Sequence, residues 1–222
     1  MEIEMSRLVS TDEPERGPLS LSSVAGYFEL LAGAVGSLPY AAIDQAVAEL
    51  MRAYEEGRAV FLFGNGGSAA LASHFACDLA KGTIGNAEGK TRFRALALTD
   101  NVPLITAWAN DASYERVFGE QLQNFVKLGD IAFAISGSGN SPNILNALEV
   151  AREAGACNIG LTGFNGGKMK TLCDICIVIP SNNMQVIEDL HLSVAHAVFS
   201  VIRQRLCNVQ SSQVIAKACW AD

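Results

Sequence analysis

Two stretches decide the fold: AVFLFGNGGSA at residues 59–69 and IAFAISGSGNSP at residues 131–142. In each, a short apolar run (59–63 and 131–135) passes directly into a Gly/Ser loop. A helical segment follows, through Leu71 to Lys81 in the first unit and from Pro142 in the second. A short apolar run without polar alternation is what a strand buried on both faces requires. Further runs at 94–98 (RALAL), 158–161 (NIGL) and 175–179 (ICIVI) alternate with helical stretches. The alternation predicts an α/β fold with a five-stranded parallel sheet covered on both faces. Upstream, residues 19–38 carry Tyr27, Leu30, Leu31 and Val35 at helical spacing. Pro39 opens a second helix with Ile43, Val47, Leu50 and Tyr54 on one stripe, ending near Gly57. Downstream, residues 184–206 carry Ile187, Leu190, Val194, Val198 and Val201 at the spacing of a long closing helix.

The chain has 222 residues, 50% of them hydrophobic, enough for one domain with a full core. Residues 1–18 are polar and interrupted by Asp-Glu-Pro and Gly-Pro, which reads as a loose arm; 19–208 form the domain and 209–222 a tail. In that tail Val214, Ile215 and Trp220 either pack, on this subunit or another, or fray. Against 16 Lys+Arg stand 23 Asp+Glu, a net charge of -7 with no basic run, which argues against a nucleic-acid or anionic-membrane surface. No apolar run is long enough to span a membrane. Six cysteines scattered through apolar stretches, with no signal peptide ahead of them, read as reduced thiols of a cytoplasmic protein. Cys173-x-x-Cys176 enters an apolar strand and has no second pair, so buried thiols are the better reading than zinc or redox work.

Gly64 to Ala69 formally matches the G-x-G-x-x-A dinucleotide fingerprint. That fold also needs an acidic residue at the end of the next strand, roughly 20 residues on. Residues 81–90 form a Gly-containing loop there, and Asp100 comes too late, so no nucleotide cofactor is expected. The second Gly/Ser loop, Ser136-Gly137-Ser138-Gly139-Asn140-Ser141, points to a different ligand. Glycines let the backbone approach an anion, hydroxyls and free N–H groups donate to it, and the helix dipole favours negative charge. Ser141-Pro142 alone would be an ordinary helix cap, but three serines together favour a phosphate or sugar phosphate.

The chain has three histidines: His74 after the first loop, and His191 and His196 on the closing helix. His74 and Asp78, at i and i+4, share one helix face. Their spacing suits a metal or proton-transfer site and equally an exposed surface hydrogen bond. Glu188 and His196 lie on adjacent faces two turns apart, with His191 turned away from His196. His74, Asp78, Glu188 and His196 converge if the two helices face each other, within a chain or across a subunit interface. For His191, a core or interface histidine with a satisfied ring is at least as good a reading.

The stretches GNGGSAALASHFACDL (64–79), AND (109–111), AISGSGNSPNIL (134–145), LTGFNGGKM (161–169) and IEDLHLSVAH (187–196) together resemble the sugar isomerase (SIS) domain proteins. Within them they are similar to the phosphoheptose isomerases, in order through almost the whole chain after the polar arm. The resemblance implies a three-layer αβα, flavodoxin-like SIS domain with long N- and C-terminal helices. It also implies a homotetramer with active sites between subunits. The implied reaction converts sedoheptulose 7-phosphate to D-glycero-D-manno-heptose 7-phosphate, a precursor of bacterial lipopolysaccharide. Position by position, it assigns the phosphosugar to Asn65, Gly66, Gly67, Ser68, Ser136, Gly137, Ser138 and Ser141, and its hydroxyl end to Asn110 and Asp111. It assigns zinc to His74, Asp78, Glu188 and His196, with Glu188 also near substrate, and proton transfer to Asp78 and His196.

The sequence departs from the family pattern at three of these positions. The family commonly has Glu where Asp78 stands, Gln in place of Glu188 and Thr in place of Gly137. The shorter Asp reaches less far, and Glu188 adds a charge that suits a metal. Gly137 loses a hydroxyl donor while keeping its backbone donor. The competing reading is a non-catalytic SIS-domain protein, an adaptor for a replication initiator or a sensor of a sugar phosphate. Such adaptors tend to lack the histidine of the closing helix, which here is His196.

Overall fold

Each of the five apolar runs forms a strand: β1 Ala59–Gly64, β2 Arg94–Ala97, β3 Ile131–Ser136, β4 Cys157–Thr162 and β5 Ile175–Val178. The structure, a computed structural model, describes residues 23–84 and 91–218, with side chains described through Cys207. Strand order is β2-β1-β3-β4-β5 with every pairing parallel, the flavodoxin-like order. Strands β1 and β3 are buried along their whole length, whereas β2, on the edge, leaves Leu96 47% exposed.

Among the described residues seven α-helices complete the three layers: α1 Val24–Val35, α2 Tyr40–Glu55, α3 Gly67–Cys77, α4 Val102–Asp111, α5 Gly119–Phe125, α6 Pro142–Glu153 and α7 Met184–Ala218. Side-chain caps explain several starts. Ser23 Oγ accepts from Gly26 N at 3.0 Å and Asn101 Oδ1 from Leu104 N at 3.2 Å, whereas Ser141 makes no side-chain cap bond and α6 opens on Pro142 in its first turn. A π-helical turn, Asp78–Gly82, continues α3. The backbone of α7 stays helical past Leu206, where the apolar periodicity stops. The arm at 1–18 lies outside the described residues, as do the side chains of the 209–222 segment.

Strand alternation sorts the core into two layers. Val60, Leu62, Phe133, Ile135 and Leu161 face Leu50 of α2, Phe75 of α3 and Val194 and Val198 of α7. Phe61, Phe63, Ala132 and Ala134 face Leu122 of α5 and Ile144 and Leu148 of α6. Asp130, just before β3, is buried and accepts from Ala59 N at 2.8 Å and Lys127 N at 2.9 Å, fixing the start of β1 beside β3. Two apolar helices stay largely uncovered. In α1 only Gly26 is fully buried, with Val24 76% and Phe28 60% exposed, and α4 buries no residue.

Phe133 tests this packing: it is 1% exposed and sits edge-on to Phe75 with ring centroids 5.3 Å apart. Phe133→Ala should cost about 3–5 kcal/mol in urea denaturation at fixed protein concentration. A cost below about 1 kcal/mol would contradict the central layer as described.

Candidate active site

The crevice opens where the strand order reverses, between the C-terminal ends of β1 and β3, with Gly64 paired opposite Ile135. The β1 loop turns into α3 through Gly66 at φ 55°, and a Cβ on Gly64 would lie 2.7 Å from the Ser68 Cβ, so the turn needs glycine at both. The β3 loop is braced from behind by the segment after β4. Gly163 N donates to Gly137 O at 2.9 Å, Met169 N to Gly139 O at 2.9 Å and Lys168 N to Asn140 Oδ1 at 3.0 Å. Asn65, Ser68, Ser136, Gly137, Ser138 and Ser141, with Met184 at the rim, line a cleft of about 130 Å³ between the loops. Ser136 is nearly buried with its Oγ 3.4 Å from Ser141 Oγ, and Ser138 Oγ accepts from Asn140 N at 3.2 Å, keeping its own proton to donate.

A second cavity, about 250 Å³, adjoins the cleft through Ser68 and runs between α3 and α7 past Gly67, His74, Glu188 and His191. The two helices face each other within one chain. His74 Nε2 lies 3.4 Å from His196 Nε2 and 3.6 Å from Asp78 Oδ2, and the ligand atoms of all three residues lie within 4.8 Å of one another. Asp78 takes its place where α3 gives way to the π-helical turn, a local widening often found at functional sites. Glu188 stands apart from the trio, eight residues and roughly 12 Å along α7 from His196. Its Oε1 covers the first turn of α3, 3.3 Å from where a Cβ on Gly67 would be. Asn110 and Asp111 end α4 exposed, with Asn110 Nδ2 donating to Asp111 Oδ1 at 2.8 Å, and neither lines these two cavities.

Several features escape a reading of the sequence. The Asn65 amide is engaged by Asn143 and Tyr114, two residues with no motif signal beyond their place near the loops. Gly137 leaves room for Met184, whose Sδ would lie 2.6 Å from a Cβ there. Asp100, three residues past β2, accepts from the Ser73 hydroxyl. Cys173 and Cys176 are free thiols; their mutual hydrogen bond raises the pKa of Cys173 and lowers that of Cys176. His191 is 1% exposed, but neither ring nitrogen has a hydrogen-bond partner, unlike the satisfied core histidine expected. Burial pushes its pKa down to about 4, offset only in part by the Thr162 backbone, which stands outside hydrogen-bonding geometry.

Comparison with known proteins identifies the class this crevice belongs to. The SIS domain family matches residues 32–163. A phosphoheptose isomerase of Aliarcobacter butzleri is 41% identical over 167 residues, covering 74% of this chain and 85% of the relative. One of Trichlorobacter lovleyi is 38% identical over 176 residues, covering 76% and 85%. Among solved structures, the phosphoheptose isomerase GmhA from Neisseria gonorrhoeae superposes with a TM-score of 0.75 at 29% identity, covering 82% of this chain and 97% of that one. A phosphoheptose isomerase from Francisella tularensis gives 0.75 at 32% identity, covering 82% and 96%. The chain belongs to the SIS domain family, in its phosphoheptose isomerase branch, and is a phosphosugar isomerase.

The orphan His191 generates a pH prediction. Its ordinary pKa is 6.5 and its folded value about 4, so between those values the unfolded chain binds more protons. Stability should therefore fall as pH drops from about 6.5 towards 4, by up to about 3 kcal/mol from this residue. In metal-stripped protein, His191→Leu should remove that part of the acid slope while leaving stability at pH 7 no lower. Equal slopes for the two proteins would contradict a buried neutral imidazole.

Proposed function

We propose that the chain isomerises sedoheptulose 7-phosphate to D-glycero-D-manno-heptose 7-phosphate through an enediol. The observation that carries this reading is a serine-lined cleft that shares Ser68 with a cavity lined by His74, whose ring nitrogen groups with Asp78 and His196. The cleft suits a phosphate held by hydroxyls and helix N-terminal amides, from Asn65, Gly66, Gly67, Ser68, Ser136, Gly137, Ser138 and Ser141. Asn110 and Asp111 lie on a helix with no buried residue, and α1 fully buries only Gly26, which supports a homotetramer that completes each site from a neighbouring subunit. Free thiols at Cys173 and Cys176 agree with a cytoplasmic enzyme, and the product would feed lipopolysaccharide precursors.

Ketose–aldose isomerisation moves one proton between adjacent carbons and one between their oxygens. Asp78 takes a proton from C1 and returns it at C2, while His196 delivers one to O2 and accepts one from O1. No electrons leave the substrate, so no nucleotide cofactor enters the reaction.

The residues present also fit zinc. Two nitrogens about 2.0–2.1 Å from a tetrahedral zinc lie roughly 3.3–3.4 Å apart, and His74 Nε2 and His196 Nε2 are 3.4 Å apart. His74, Asp78 and His196 would hold the ion, and Glu188, which stands apart from them beside His74 in the cavity between α3 and α7, is the proposed fourth ligand. Zinc bound there would polarise the C2 carbonyl and stabilise the negative charge of the enediolate. Asp78 has an oxygen for each task. A nitrogen that holds a metal carries no proton, so with zinc on His196 Nε2 the proton this ring exchanges would be the one on Nδ1.

The test is conversion of sedoheptulose 7-phosphate in deuterated water, followed by NMR on metal-stripped and zinc-restored protein. Deuterium at C2 of an aldose product, restored by zinc, is the expected result; no exchange in either state from folded protein overturns the reading in favour of another phosphosugar or a non-catalytic role. His196→Ala should lower turnover at least about 100-fold, and near-normal turnover with fold and metal content intact would remove His196 from proton transfer. Glu188→Gln should weaken zinc binding by about tenfold through the loss of one anionic ligand. Unchanged affinity by titration would exclude Glu188 as a ligand.

A further inference from the structure

The two loops of the cleft come from neighbouring strands, and their backbone pairing ends with Gly64 opposite Ile135. Beyond that point each loop leads into a helix N-terminus, of α3 and of α6. Two such positive dipole ends side by side repel each other when no anion lies between them. The side-chain tie across this gap is an amide pair. Asn65 Nδ2 donates to Asn143 Oδ1 at 2.9 Å, and Asn143 Nδ2 donates back to Asn65 Oδ1 at 2.9 Å. Such a pair uses a donor and an acceptor of each amide, so turning either one breaks both bonds. Asn143 is 2% exposed, so solvent does not replace a lost bond there. Tyr114 Oη donates to the same Asn65 Oδ1 at 3.0 Å, filling its second lone pair. Tyr114 also opens the 3₁₀ turn that follows α4, three residues past Asp111.

We propose that Asn143 and Tyr114 are positioning residues: with Asn65 they form a clasp that sets the spacing of the two phosphate loops before the ligand arrives. Asn143 fixes the β1 loop against the β3 loop, and Tyr114 keys the segment after α4 to the β1 loop. The proposal rests on reading the cleft as the phosphate site. It assigns Asn65 a second task, because its amide oxygen is committed to the clasp, leaving its second Nδ2 proton and its backbone for a ligand. Neither Asn143 nor Tyr114 acts on the reacting carbons, so their loss should appear in anion affinity and not in the chemical step.

Inorganic phosphate is the probe, titrated calorimetrically into the full-length wild type, Asn143→Ala and Tyr114→Phe, with kcat and KM measured alongside. The phosphate Kd should rise about tenfold in Asn143→Ala and about threefold in Tyr114→Phe, with KM rising in parallel and kcat within about threefold of wild type. A phosphate Kd unchanged in both folded variants, or a loss confined to kcat, overturns the clasp. Should Asn143→Ala fail to fold, Tyr114→Phe decides alone, because its side chain is 55% exposed and its loss leaves the core intact. Failure of the isomerase reading is seen separately. A wild type that binds phosphate without converting the heptose phosphate overturns that reading, and the Kd comparison still judges the clasp. A wild type that binds no phosphate in this cleft overturns both.

Discussion

The parallel pairing of β1 with β3 is the constraint on which the rest depends. It runs from Val60 opposite Ile131 to Gly64 opposite Ile135, and is anchored at its start by the buried Asp130 carboxylate. Because the strands are parallel and adjacent, both must release their chains at the same edge of the sheet, on the two sides of the reversal in strand order. Two loops rich in glycine and serine therefore open side by side, and the cleft between them follows from topology before any ligand is considered. The amide pair of Asn65 and Asn143 joins loops that the strands have already brought together.

From that edge α3 runs back over the sheet and meets α7, which closes the same layer. Phe75 of α3 and Val194 and Val198 of α7 share one core with Phe133 and Ile135. The polar sides of the same helices are thereby held close enough for the His74 and His196 ring nitrogens to stand 3.4 Å apart. Two neutral imidazoles with lone pairs facing each other would repel, so the arrangement calls for a proton or a cation between them. Apolar packing below thus determines the electrostatics above. The same packing buries His191 one turn away on α7, where its neutral ring faces the cavity without a partner.

How far the sequence could be read follows the range of the interactions involved. Strands were legible within one or two residues because burial on both faces demands uninterrupted apolar runs, and glycines mark their ends. Helix starts at Ser141-Pro142 and the stripe of α2 were legible because caps and 3.6-residue periodicity are local. Convergence of His74, Asp78, Glu188 and His196 was legible as a possibility from spacing, but how α3 crosses α7 decides which of them meet, and it brings together the first two with His196 and leaves Glu188 apart. Asn143 showed only as part of the 134–145 stretch and Tyr114 carried no signal, since their bonds to Asn65 span 78 and 49 residues. Gly137 read as a lost hydroxyl, while the structure shows the vacated space answered by Met184 from α7. The unsatisfied ring of His191 is a property of its three-dimensional surroundings, which no periodicity encodes.

In the proposed function, α3 and α7 of one chain build a metal-assisted reaction centre beside a phosphate cleft. X-ray absorption at the zinc edge on zinc-loaded protein tests it most directly. One zinc per chain held by nitrogen and oxygen only, with two imidazoles at about 2.0–2.1 Å, and loss of that signature in His74→Ala, is the expected result. Sulfur in the first coordination shell, which would draw the ion to the cysteines, or a spectrum unchanged by His74→Ala, would contradict it.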